Sequence, residues 1–164
     1  MLKNLRKQGE AISNPKGQTM RFMVIVKATK DSEKEGALPD PQGVTEMNEF
    51  IDELIKAGVM LAYEGLHPSS KGARVHFSGT NRTVIDGPFA ETKELVAGFM
   101  LWQVKSLEEA IEWVKRSPNC HAGESEVEIR QVFEPEDFAY AFSEDDIQQE
   151  KEIRAQLADK AAKK

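Results

Sequence analysis

The chain has 164 residues, 40% hydrophobic and 30% charged, enough for one buried core without disulfide or metal staples. A formal net charge of -6 and a pI near 5.2 argue against nucleic acid, whose sequence-independent affinity comes from clustered Lys and Arg. No apolar run approaches the roughly 20 residues that span a bilayer, so no membrane partner is expected, and the lone Cys120 permits no internal disulfide, which fits a cytoplasmic address.

Residues 1–19 carry Lys3, Arg6 and Lys7 without a continuous apolar segment, and read as a flexible extension with Met20 as a second candidate start. Met20 to Ala28 is apolar on both faces, the pattern of an interior strand. Thr29 to Gly43 is charged and punctuated by Pro39 and Pro41, a loop leading to a helix from Val44. Met47, Phe50, Ile51, Leu54 and Ile55 then share one helical face, and Gly58 stops the helix. Val59 to Leu66, Ala73 to Ser78, Thr83 to Ile85 and Leu95 to Val104 read as strands, the middle two joined as a hairpin through Gly79-Thr80-Asn81. Ser106 caps a helix to Arg116, paired with Glu109 and buried along Leu107, Ala110, Ile111 and Val114. Glu126 to Phe133 is a last strand. Beyond it lies a charged tail, 134–164, in which Ser143 caps a final helix and Phe138, Tyr140 and Phe142 are expected to dock on the body.

The order reduces to βαββαβ with an added hairpin, a ferredoxin-like α+β arrangement. Its helices cover one sheet face. The other face also carries apolar residues and needs a partner, which a homodimer supplies by pairing two sheets.

The stretches GLHPSSKGARVHF, TVIDGPFAETKELVAGFMLWQV, SLEEAIEW and EVEIRQVF resemble the YCII-related family, in its branch named for the DGPF motif, over residues 20–133. The resemblance implies a dimeric α+β barrel with a cleft near the subunit interface, and for some relatives an association with sigma factors. In the wider family a His and an Asp are proposed as an active-site pair, and one relative is a dehydrochlorinase. The positions here that match are His67 and Asp86. The first helix lacks the histidine that distant members place there.

His67 and Asp86 make chemical sense as a dyad, because a carboxylate fixes the imidazole tautomer and raises its basicity. The alternative is architectural: His67 closes a turn before Pro68, and Asp86 accepts backbone N–H bonds in its own turn. Glu64 is a second acid if its strand turns it inward. Ser70, in the Ser69-Ser70-Lys71-Gly72 loop, offers polar groups to an anion without any phosphate-loop spacing. Arg74 shares a strand face with His76 and, together with Arg130, is a candidate carboxylate clamp. His67, His76, Cys120 and His121 have no metal-ligand spacing, and no cofactor is expected. Two functions follow: a dimeric module binding a small metabolite or regulatory partner, or a lyase or isomerase using His67 and Asp86.

Overall fold

The computed structural model describes residues 19–38, 40–119, 121 and 123–162, the last two of these for their backbone only. The expected N-terminal extension up to residue 18 and Cys120 lie outside the described residues. Two compact units are present, Met1–Gln131 and Val132–Lys164.

The first unit holds β1 (Met20–Lys27), α1 (Pro41–Lys56), β2 (Met60–Gly65), β3 (Ala73–Ser78), β4 (Asn81–Asp86), β5 (Val96–Val104), α2 (Leu107–Arg116) and β6 (Val127–Gln131). It is a mixed α+β body. Four strands form an antiparallel sheet in the order β2-β5-β1-β6, which makes β1 the interior strand its apolar composition predicts. The β3–β4 hairpin stands as a separate two-stranded sheet inserted between β2 and β5.

Register divides the four-stranded sheet into two chemically different faces. Phe22↔Trp102, Val24↔Met100 and Met60↔Trp102 turn one way, and with Phe50 and Leu54 of α1 and Ala110 of α2 they form the core. Phe50 meets Trp102 edge-on at 6.4 Å and Trp113 at 6.3 Å, so both tryptophans serve packing. The opposite face presents Met23 and Ile25 on β1 with Phe99 and Leu101 on β5, flanked by Glu64, Glu128 and Arg130. On this face Met23 is 36% exposed.

Local chemistry explains where the helices start and stop. α1 begins at Pro41 rather than Val44, because Asp40 caps it by accepting the Gly43 N–H at 3.1 Å and proline needs no partner in a first turn. Gly58, at φ 70, closes it, and the Val59 N–H returns to the Leu54 carbonyl at 2.9 Å. On α2 the Ser106 hydroxyl accepts the Glu109 N–H at 3.2 Å, while the Glu109 carboxylate takes the N–H of Lys105 at 2.7 Å. The buried stripe of α2 is narrower than its sequence suggests: Ala110, Trp113 and Val114 face the core, whereas Leu107 and Ile111 are exposed. Ile55 of α1 is likewise exposed, one position around the helix from the buried Leu54.

The second unit carries a short 3₁₀ turn, Pro135–Phe138, and α3 (Glu144–Ala162). A reciprocal cap starts α3: the Ser143 hydroxyl accepts the Asp146 N–H at 3.2 Å, and the Asp146 carboxylate accepts the Ser143 N–H at 3.1 Å. Arg154 ties the unit together by reaching Glu150 at 2.9 Å, Glu134 at 2.8 Å and the Phe133 carbonyl at 3.1 Å. The aromatics stack on one another, Phe133 on Phe138 and Phe138 on Phe142, while Tyr140 is 89% exposed.

Candidate functional site

The DGPF turn is built into the body by backbone geometry. Leaving β4, the Gly87 N–H donates to the Gly72 carbonyl at 2.9 Å, and a Cβ at Gly87 would lie 1.8 Å from the Ser69 carbonyl oxygen. Only glycine fits that approach. The Gly87–Pro88 peptide is cis, and the next N–H, of Phe89, donates to the Ser69 hydroxyl oxygen at 3.2 Å. Ser69 in turn donates its own N–H to the Glu33 carboxylate at 3.0 Å, and its hydroxyl donates to the same oxygen. Above this knot the Arg74 guanidinium lies 4.0 Å from the centre of the Phe89 ring. One serine therefore joins the loop before α1, the turn after β2 and the end of the hairpin.

The residues singled out from the sequence occupy scattered positions around that junction. His67 and Asp86 are both exposed, and no hydrogen bond joins them among the described residues. Glu64 pairs with Phe99 and so sits on the sheet face away from the helices, exposed rather than buried. Ser70 is exposed on the 3₁₀ turn Ser69–Lys71, where its neighbour Ser69 makes the structural bonds. Arg74 and His76 do share a face of β3, but Arg130 belongs to β6 in the other sheet, 3.7 Å from Glu128. Glu33 had no signal in the sequence beyond being one acid in a charged loop.

A second place is a recessed, half-open hollow. Between the sheet and the helices lies a cavity of about 150 Å³. Val24 and Val26 of β1, Met47 of α1, Met100 of β5, Val114 of α2 and Val127 of β6 give it apolar walls, and the segment after α2 supplies Ser117, Asn119, His121 and Ser125. That segment is folded on Asn119: its amide donates to the Gly123 carbonyl at 2.8 Å, and its oxygen accepts from the His121 N–H at 3.2 Å and the Ser125 hydroxyl at 2.6 Å. His121 is one of the lining residues, and its Nε2, like Nε1 of Trp102, is buried without a hydrogen-bond partner among the described residues. Such an atom is unusual, because buried polar groups are almost always paired.

The hydrogen bond from Lys34, reinforced by its charge, lowers the Asp31 carboxyl, and the Lys151 hydrogen bond lowers Glu136. Among the described residues no three His, Cys, Asp or Glu side chains converge in a way that could hold a metal, and no helix is long and apolar enough to cross a membrane.

An uncharacterized protein of Rhizobium meliloti (strain 1021) is 30% identical over 91 residues, which is 56% of this chain and 73% of that protein. The YCII-related domain model matches residues 20–134, a span containing both sheets, α1, α2 and every residue of the chamber. With most of its length accounted for in this way, the chain belongs to the YCII-related domain family.

Proposed function

We propose that this chain, a member of the DGPF branch, is a small-molecule-binding module that works as a homodimer, with the chamber between sheet and helices as its ligand site. The observation that carries this reading is the recessed, mostly apolar hollow lined from β1, α1, β5, α2 and β6. His67 and Asp86 are open to water and unjoined by a hydrogen bond, which favours binding over the lyase or isomerase chemistry such a pair would perform. DGPF then acts as a clamp between chain segments.

The strand order β2-β5-β1-β6, with α1 and α2 packed on one face, supports a ferredoxin-like split βαβ unit. The uncovered face supports dimerisation. Met23, Ile25, Phe99 and Leu101 form its apolar centre, and Phe77 and Val84, 67% and 64% exposed on the hairpin, add to the surface a second copy could bury. Sedimentation of a compact monomer at tens of micromolar would remove the dimer from this reading.

A thermal-shift screen of a metabolite library on wild type, Val114→Phe and His67→Ala tests the site. Val114→Phe fills the chamber, so a stabilising compound loses its effect there and keeps it in His67→Ala. The reverse pattern would return the site to the turns and revive the acid–base alternative.

A further inference from the structure

We infer that the β3–β4 hairpin is a dimerisation arm, and that its face carrying Val75, Phe77, Arg82 and Val84 lies against a second copy of this chain. This role rests on the homodimer proposed above. Register separates the two faces of the hairpin: Val75↔Val84 and Phe77↔Arg82 turn one way, Arg74↔Ile85 and His76↔Thr83 the other. The face of Arg74 is anchored to its own chain, because the guanidinium stacks on Phe89 of the DGPF turn. On the opposite face Val75, Phe77 and Val84 are each about half exposed or more, and Arg82 lies 4.3 Å from the centre of the Phe77 ring.

A two-stranded hairpin is marginal in water unless a face of it is packed, so the exposed Val75, Val84 and Phe77 call for cover. Area selects a second copy as that cover. The uncovered face of the four-stranded sheet, with strands about 4.8 Å apart and about five residues of about 3.3 Å each, has a footprint of roughly 300 Å². A stable dimer buries about 800 Å² per partner, more than this face supplies even when side-chain relief roughly doubles it. A hairpin about 20 Å long makes up the difference. Charge points the same way: Arg74 and Arg82 against Asp86 give residues 73–86 a formal +1, which leaves -7 on the rest of a chain whose total is -6. The hairpin of one copy is thus drawn to the acidic body of the other.

Sedimentation equilibrium of wild type, Val84→Glu and His76→Glu tests the assignment, since the two substitutions place a carboxylate on opposite faces of one hairpin. The expected result is a dimer Kd raised about 100-fold or more by Val84→Glu, which buries an unpaired charge, and held within about threefold of wild type by His76→Glu. A dimeric wild type with equal Kd values in the two variants overturns the role of this face, leaves the dimer standing, and assigns the exposed valines to some other partner. A wild type that is monomeric at tens of micromolar removes the dimer and the arm together. Should Val84→Glu fold poorly, nuclear Overhauser spectra of wild type mixed from labelled and unlabelled copies decide the matter: contacts from the unlabelled copy to the Val75 and Val84 methyls are expected, and their absence from a dimer overturns the inference.

Discussion

The DGPF junction and the chamber under the helices divide sequence signal and recessed volume between them in opposite ways. The junction carries the recognisable motif, yet its two candidate catalytic side chains are exposed and its hydrogen bonds run through Ser69, Gly72 and Glu33. The chamber has no motif at all, yet it is the recessed, mostly apolar hollow of the first unit. A tight turn needs particular residues because backbone sterics are unforgiving, whereas an apolar pocket can be lined by any side chains of suitable size. Motif strength is thus a guide to geometric constraint before it is a guide to chemistry.

The sharpest way to break this contrast is Gly87→Ala. Its Cβ would collide with the Ser69 carbonyl, so the account expects a loss of about 3 kcal/mol or more in denaturant unfolding. A milder probe of the same knot is Ser69→Ala, which removes a donor to Glu33 and the acceptor for the Phe89 N–H. A loss of about 1–2 kcal/mol is expected by the same measurement, and a neutral result would show that the knot carries little of the stability.

The smallest expected effect lies in the second unit, away from both regions, and serves as a control. The hydrogen bonds from Ser143, its hydroxyl first and its backbone N–H second, hold the Asp146 carboxyl below its ordinary value of 3.8. A carboxyl depressed in the folded state contributes stability that is fully present above the unfolded pKa and is lost as pH falls through the folded one. The start of α3 is therefore expected to loosen only below about pH 4. NMR titration of the Asp146 carboxyl should give a midpoint below 3.8, with ligand binding in the chamber unaffected by Asp146→Asn.

Much of the fold was legible because it follows local rules. Apolar runs bounded by turn residues located β1 and β5, Gly58 ended α1, and Gly79-Thr80 turned the hairpin, although β4 begins at Asn81 rather than Thr83. The errors are instructive in the same terms. Periodicity alone assigns Leu107, Ile111 and Ile55 to buried faces, but the contact between a helix and a sheet is narrower than a helix's apolar stripe, and these three sit at its margins. Parity along β2 could not be decided for Glu64 before the pairing with Phe99 fixed its face, because a bulge between Met60 and Ala62 interrupts the alternation.

The site was less legible. Its walls come from β1, α1, β5, α2 and β6, and each valine or methionine taken singly reads as ordinary core. His121 was visible only as a neighbour of Cys120 with no metal-ligand spacing. Its meaning depends on Asn119 folding the following segment back, an arrangement that side-chain hydrogen bonds create and hydrophobic pattern does not record.

The central claim is that a ligand enters the chamber and leaves the DGPF turns alone, and chemical-shift mapping with a compound that stabilises wild type in the thermal-shift screen tests it most directly. The account predicts saturable amide shifts at Val24, Val114, His121 and Val127, with His67 and Asp86 unmoved. Shifts centred on His67 and Asp86, with the chamber residues silent, would contradict it.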